Sequence, residues 1–300
     1  MANLKEVRNR IASVKNTQQI TSAMKMVSAS KLRKSQTAIE KMRPYNSKLH
    51  EILGYIYNNF NLANLDVPLL KQRATQKVLM VVFSSNRGLC GPFNSTVIKT
   101  FEKNRQEILK KQKKTELHIF AIGKKIYQHV KNNNYTLAGH EESLLENPDY
   151  ESTGMLAETL MEWFKNGTYD RIEIVYNAYK NAATQIMTSE VFLPMHVKET
   201  SDKEEKETAQ QEEPEYIFEP DKDTIIRDLL PKILKVQLFK IFLDTSAAEH
   251  GARMTAMHQA TENAKELLHD LELAYNKARQ AAITNEIMEI TSGANALRGT

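Results

Sequence analysis

The sequence is poor in cysteine and has no long apolar run. Its one cysteine, Cys90, excludes an internal disulfide and a zinc site built on several thiolates. No stretch approaches eighteen uninterrupted apolar residues, since the run at 78–83 has only strand length, so no membrane-spanning helix is predicted. The first ten residues lack the apolar core of a signal peptide. We therefore expect a soluble protein of a reducing compartment.

Glycine and proline, the residues that break helices, are scarce at both ends of the chain. Residues 1–43 and 252–292 contain neither. Tracts of this length predict helices well beyond the usual three or four turns. The chain has 300 residues, 41% hydrophobic and 26% charged, which is a globular composition with room for one large or two medium domains.

The N-terminal tract shows the apolar spacing of a coiled-coil seam. The seam begins at Leu4, Val7, Ile11 and Val14 and resumes in the same register from Leu32. Between these blocks its positions are polar, while apolar residues form a shifted stripe: Gln18, Thr21, Lys25 and Ser28 against Ile20, Met24 and Val27. We expect Pro44 to kink or interrupt the helix. Residues 3–59, if helical, extend about 85 Å, more than a compact domain of this size can cover.

The C-terminal tract repeats this pattern. We expect Pro231 to separate a short first helix from the main one, along which a narrow apolar stripe runs from Ile233 to Leu297. Two such helices can bury their stripes against each other as an antiparallel coiled coil. The alternative is that each helix packs separately on a central domain.

The middle of the chain alternates strands with helices. We predict strands at 77–84, 117–122, 171–178 and 188–194, and helices at 92–113, 124–132 and 153–165. This order favours an α/β sheet, parallel in part. Residues 199–215 carry eight acids against two lysines and are predicted to be a solvated, mobile insertion, after which Phe218 is a candidate to close the sheet. The predicted domains are 1–60 and 221–300 as coiled-coil helices, 76–198 as the α/β domain, and 199–215 as the insertion.

The net charge of +4 conceals two oppositely charged regions. Residues 1–60 hold eleven Lys and Arg against three acids, and the acidic insertion has a net charge of −6. A basic helix can bind nucleic acid through its phosphates, although no aromatic residue interrupts the basic tract before Tyr45. It can equally be a solvated face or bind an acidic protein partner. A basic coiled-coil protein that binds nucleic acid is therefore the alternative function.

The sequence contains few candidates for a catalytic or ligand-binding site. The turn at residues 84–91 follows a strand and precedes a helix, where nucleotide folds bind phosphate. It lacks both G-x-G-x-x-G and a Gly-Lys-Ser/Thr sequence, so its glycines favour a backbone explanation. We expect Cys90 to be a small buried thiol. His250, His258 and His269 show no ligand spacing and are assigned to a solvated face. No active site, cofactor or metal is predicted, and an enzyme with a phosphate-binding domain ranks third.

Three segments resemble one family. Residues 1–34, the SSNRGLCGPFN turn at 84–94 and the stretch from Glu249 to Leu297 are similar to the bacterial gamma subunit of rotary ATP synthases. The resemblance covers nearly the whole chain, and the acidic insertion is its main departure. It implies a fold in which the N- and C-terminal helices form a long antiparallel coiled coil with an inserted Rossmann-like α/β domain.

The resemblance also implies a function without a reaction of its own. In that family the coiled coil is the rotor shaft inside a ring of alternating alpha and beta subunits. The central domain lies against the epsilon subunit and the membrane-embedded ring of c subunits. Membrane association would be through the c-ring only, with no nucleic acid bound. The absence of a transit peptide and of the regulatory cysteine pair of the chloroplast form favours the cytoplasmic face of a bacterial inner membrane.

The resemblance carries two sets of contact residues. Met24 and Lys25 match the segment near the acidic lever of a beta subunit. A second set matches the segment that meets a catalytic-subunit loop near the shaft tip: Arg279, Gln280, Thr284 and Glu286. Their structural alternative is the polar face of a coiled coil.

Overall fold

A computed structural model describes residues 4–59, 67–111, 115–182, 184–195 and 222–298. The helices and strands in chain order are α1 Leu4–Asn59, β1 Lys77–Phe83, α2 Phe93–Lys111, β2 Glu116–Ile122, α3 Lys124–Asn132, β3 Leu137–Glu141, α4 Tyr150–Lys165, β4 Arg171–Tyr179, β5 Gln185–Leu193 and α5 Lys222–Arg298. Short 3-10 turns lie at Pro68–Leu70 and Ser143–Leu145.

The chain divides into two compact units. One comprises the described residues up to Ala29 and from Arg253 onward, and the other runs from Ser30 to Ala252. Helices α1 and α5 contribute to both units. The second unit contains the sheet and helices α2, α3 and α4.

The sheet has five strands in the order β3-β2-β1-β4-β5. Strands β1 to β4 are parallel, and β5 runs antiparallel to β4, with Tyr176 opposite Thr188. Central strand β1 is buried from Val78 to Phe83 because helices cover both faces, which is why its sequence is apolar throughout. The prediction of a partly parallel α/β sheet is confirmed.

Alternate residues of β1 enter two cores. Leu79, Val81 and Phe83 face a large cluster that includes side chains of α1, α4 and α5, while Met80 and Val82 pack with residues of α2 and α3. Phe242 of α5 meets Phe83 edge to face, with ring centroids 4.9 Å apart. The sheet is therefore anchored to both long helices on one face.

The prediction that Pro231 separates two helices was wrong, and Pro44 does not interrupt its helix. Helix α1 continues through Pro44, and α5 is one helix from Lys222 to Arg298 that contains Pro231. Pro231 costs roughly 3 kcal/mol in a helix interior, but its neighbours Leu230, Ile233 and Leu234 are buried. Each such side chain contributes about 1.5–3 kcal/mol, so packing outweighs the lost hydrogen bond.

Strand β3 was missed, and β5 begins three residues before the predicted strand. Leu137–Glu141 contains glycine, histidine and glutamate and pairs only with β2 within the described chain, so it lacks the apolar signal of an interior strand. The acidic insertion at 199–215 and Phe218 lie outside the described residues, and the domain boundaries stay predictions.

Candidate partner-binding surfaces on the paired helices

In the unit that contains the chain ends, α1 and α5 pair through polar side chains. The hydroxyl oxygens of Thr21 and Thr261 lie 2.9 Å apart. Four residues further along α1, the ammonium of Lys25 donates to Nδ1 of His258 at 3.3 Å. Residue numbers rise on one helix as they fall on the other, so the helices are antiparallel, as predicted.

Small and polar residues fill this part of the seam. Thr21 and Ser28 are buried, whereas Gln18 and Lys25 are half-buried. The Thr21 hydroxyl also donates to the Gln18 carbonyl oxygen at 3.0 Å, so this buried polar group is satisfied. The polar register predicted for the seam is confirmed in this unit, and it buries less apolar area than a leucine seam would.

The apolar residues of the same α1 segment point into solvent. Ile20, Met26 and Val27 are 60%, 64% and 57% exposed. Three large apolar side chains within eight residues form a surface that water solvates poorly. Exposed apolar patches of this kind mark sites where a protein partner binds. We call these three residues the α1 apolar face.

Among the described residues of this unit, no helix lies opposite the end of α5. Extending the Thr21–Thr261 register, Leu4 at the start of α1 falls opposite Ala278. Every side chain from Arg279 to Ala294 is exposed. Ile283, Ile287 and Ile290 follow the four- and three-residue spacing of one helix face. We call them the α5 apolar stripe, and a lone helix of this length is marginal in water without a partner.

The predicted contact residues fall on two separate surfaces. Met24 and Lys25 are half-buried on α1 beside the α1 apolar face. Arg279, Gln280, Thr284 and Glu286 are exposed beside the α5 apolar stripe, where the Thr284 hydroxyl donates to the Gln280 carbonyl oxygen at 2.9 Å. His258 faces Lys25, so Arg279 lies 21 residues further along α5, about 30 Å away.

Sequence reasoning missed the role of His258 and the exposure of Met26. His258 and His269 are exposed, as expected, whereas the assignment of His250 to a solvated face was wrong, because its side chain is buried. His258 also contacts Lys25 across the seam. The seam register could have revealed this contact, since Lys25 was already placed at a seam position. Met26 carried no signal because methionine suits cores and surfaces alike.

In the other unit, backbone N–H groups in and around the turn at residues 84–91 donate hydrogen bonds to side chains of the protein itself. The backbone N–H of Ser85 donates to Oδ1 of Asn94 at 3.0 Å, and that of Lys124 donates to Oδ1 of Asn86 at 3.1 Å. The N–H of Ile126 donates to the Ser84 hydroxyl at 2.9 Å. These are groups that would otherwise face a phosphate at the carboxyl ends of parallel strands.

Helix α5 also fills the space beside that turn. Ala248 and Ala252 pack against Cys90 and Phe93, and Cys90 is buried, as predicted. A Cβ added to Gly251 would lie 3.1 Å from the Ala182 carbonyl oxygen, so glycine permits this close approach. In the turn itself, Gly91 has a φ of 57°, which confirms the backbone explanation at that position.

Buried acidic groups lie between α5 and the sheet in this unit. Burial, reinforced by the charge of Glu190, raises the pKa of Asp244 to about 6, against the opposing effect of Lys240. Burial also raises the pKa of Tyr176, which hydrogen-bonds Glu190. Asp244 and Tyr176 are both buried, and we assign them to the packing of α5 against the sheet.

The described parts of the chain show two further features. None of their helices combines the length and apolar character that crossing a membrane requires. They also bring no three His, Cys, Asp or Glu side chains together in a way that could hold a metal ion. The exposed apolar faces of α1 and α5 are surfaces of the kind that bind protein partners.

Fold and surfaces together define the class: a coiled-coil protein with an inserted α/β domain whose helices bind other proteins. A family model described as ATP synthase matches residues 3–297. The ATP synthase gamma chain of Flavobacterium johnsoniae is 50% identical over 299 residues, which is 100% of both chains. The gamma chain of Geotalea daltonii is 42% identical over the same length and coverage. The chain belongs to the ATP synthase gamma-chain family.

Solved structures share the fold. A chain of the Euglena gracilis mitochondrial ATP synthase superposes with a TM-score of 0.64 at 20% identity, covering 98% of this chain and 94% of that one. A chain of the Tetrahymena thermophila mitochondrial ATP synthase central stalk gives a TM-score of 0.53 at 20% identity, with 80% and 99% covered. At such identity the likeness establishes architecture alone.

Proposed function

We propose that this chain is the central rotor shaft of a bacterial proton-translocating ATP synthase. It would couple rotation of the membrane c-ring to the conformational cycle of the beta subunits during ATP synthesis or hydrolysis. Full-length identity of up to 50% to named gamma chains carries the proposal. The exposed α1 apolar face and α5 apolar stripe support it, since both require protein partners.

The chain itself would catalyse no reaction. At the carboxyl end of the sheet, the turn donors are used internally and helix α5 occupies the adjoining space. ATP would instead be made and hydrolysed on beta subunits, and this chain would impose their sequence of states. Its binding partners would be the alpha, beta and epsilon subunits and the c-ring, which would also hold it peripherally at the cytoplasmic face of the inner membrane.

The two contact surfaces would serve different parts of the catalytic ring. Lys25, with Met24 beside it, would face the acidic lever of a beta subunit, because an ammonium at a half-buried site attracts a carboxylate. Arg279, Gln280, Thr284 and Glu286 would meet a loop of a catalytic subunit further along α5. Their exposed polar groups can form hydrogen bonds there, while the α5 apolar stripe buries its surface.

Co-purification tests the proposal. The chain is expressed with its own alpha and beta subunits, with affinity tags on beta, and the recovered assembly is assayed for ATP hydrolysis. We expect this chain in stoichiometric amount and hydrolysis that requires it. If the chain fails to assemble and instead binds DNA or RNA with an affinity that falls steeply with salt, the nucleic-acid alternative replaces the proposal.

A further inference from the structure

A polar cavity of about 240 Å³ opens on the α2 side of the sheet. Its walls come from four elements and from the segment before β1. Helix α2 contributes Asn104, Glu107 and Ile108, and the strands contribute Val78, Arg171, Glu173 and Ser189, with Thr75 at one end. The sheet's starting residues in β1 and β4 lie side by side here, because Val78 pairs with Arg171. None of these residues belongs to the surfaces assigned to the catalytic ring.

One carboxylate of the cavity is buried and forms an ion pair. Glu173 is buried, and its Oε1 lies 2.7 Å from Nη2 of Arg171. Nε of Arg171 is buried without a hydrogen-bond partner, so the ion pair sets the position of this guanidinium. The two charges of the pair offset each other, with Glu173 largely buried and the Arg171 side chain 42% exposed.

The other polar groups of the cavity are mostly acceptors. Asn104 donates its amide hydrogen to the Ser189 hydroxyl at 2.9 Å, which leaves its Oδ1 available. Glu107 is half exposed and forms a long ion pair with Lys103, whose Nζ lies 3.9 Å from its Oε1. The carboxylates of Glu107 and Glu173 outnumber the single guanidinium, so the lining has a net charge of −1.

The apolar part of the lining suits an alkyl stem. Val78 is buried at the base of the cavity and Ile108 is half-buried on α2. A ligand with three donors on a positively charged head and a short hydrocarbon chain would match both parts of the lining. An anion would meet two carboxylates, and a divalent metal would lack a third acidic ligand.

The geometry points to a site for a primary alkylammonium group, with the ammonium between Glu107 and the Asn104 amide oxygen and the alkyl chain against Val78 and Ile108. Two sources share this chemistry: a small free amine, and the side chain of a lysine on a neighbouring subunit. The second source rests on the proposed function, whereas the site itself does not.

Calorimetric titration of the full-length chain tests the site. Pentylammonium is the probe, and pentan-1-ol, of the same length but uncharged, is its control. We expect saturable binding of the amine at millimolar concentrations and none of the alcohol. Glu107→Gln keeps the shape and removes the charge, and should weaken binding about tenfold, the usual value of a charged hydrogen bond. Glu162→Gln, an exposed carboxylate on α4 outside the cavity, should leave binding unchanged.

A second variant blocks the cavity without changing the charge of its lining. Ser189→Tyr places a large side chain at the exposed mouth of the cavity on a strand, where tyrosine is well tolerated, and should abolish binding. Binding that is equal for the amine and the alcohol, absent in the parent chain, or unchanged in both Glu107→Gln and Ser189→Tyr would overturn the site.

The assembled complex distinguishes the two sources. If the amine binds the isolated chain but not the assembly, a subunit lysine occupies the cavity; if it binds both, the site takes a free amine. Amine binding in neither overturns the inference. Failure of the proposed function would appear separately, as failure to co-purify with alpha and beta subunits, and would leave the titration of the isolated chain intact.

Discussion

At the scale of single residues, the most unusual group of the described chain is Asp244. It lies on α5 against the sheet, and burial together with Glu190 raises its pKa from 3.8 to about 6. A carboxyl that binds its proton more tightly in the folded state adds stability at low pH. That stability is present below pH 3.8 and is lost as the pH rises to 6. Above pH 6 the ionised group costs up to about 3 kcal/mol.

Asp244→Asn should therefore stabilise the chain at neutral pH. The amide cannot ionise, so the advantage over the parent should grow by about 1–1.5 kcal/mol between pH 5 and pH 8. Urea unfolding of both chains across this range measures it. Asp228→Asn, at an exposed position on the same helix, is the control and should run parallel to the parent. A constant difference between Asp244→Asn and the parent at every pH would contradict the assignment.

At the scale of elements, the long helices were predictable because they lack breakers and repeat a seam. The prediction failed at Pro231, since a sequence pattern does not show that Leu230 and Leu234 are buried deeply enough to offset a lost hydrogen bond. Strand β3 was not predicted from the sequence, because an edge strand can form with little apolar surface and so lacks the apolar pattern of an interior strand. The cavity that is proposed to bind an amine could not be predicted from the sequence, since its walls combine residues more than a hundred positions apart.

The α5 apolar stripe is predicted to be buried against a partner in the assembly. Ile283, Ile287 and Ile290 changed together to serine should leave the unfolding midpoint of the isolated chain nearly unchanged, because they are exposed and the two residue types have similar helix propensities. In the assembly, each isoleucine would lose about 1.5–3 kcal/mol of burial. We expect faster dissociation from tagged alpha and beta subunits in a wash assay.

Asn285→Ser is the matched control for the stripe variant. Asn285 lies on the other side of the same exposed helix segment and should keep the dissociation rate of the parent. If the stripe variant also dissociates at the parental rate, this surface is not buried in the assembly.

At the scale of the whole chain, charge is divided rather than balanced. Residues 1–60 carry +8 while the total is only +4. Position in sequence was enough to identify this partition, but the acidic insertion that offsets it lies outside the described residues. What the sequence could not show is which basic side chains are already engaged, as Lys25 is with His258.

Charge reversal tests the basic helix as a partner surface. Under the proposed function, Lys25, Lys31 and Arg33 changed to glutamate should slow rotation in a single-molecule assay, because carboxylates would replace cations on the helix that is proposed to face an acidic lever of a beta subunit. The defect should be largest at low salt, where screening is weakest. Lys99, Lys110 and Lys131 changed to glutamate alter the net charge equally on α2 and α3 and are the control. Equal rates in both variants would remove the electrostatic contribution.

The packing of α5 beside the turn at 84–91 affects what would happen if α5 were separated from the α/β domain. A domain of this topology usually keeps the carboxyl end of its sheet for a diffusible ligand. Here Ala248, Gly251 and Ala252 of α5 pack beside the turn at that end of the sheet. The group that covers this end is therefore part of the same polypeptide chain. Tethering replaces a concentration-dependent equilibrium with an intramolecular one. Severing α5 would therefore expose the surface beside the turn at 84–91 that Ala248, Gly251 and Ala252 now cover.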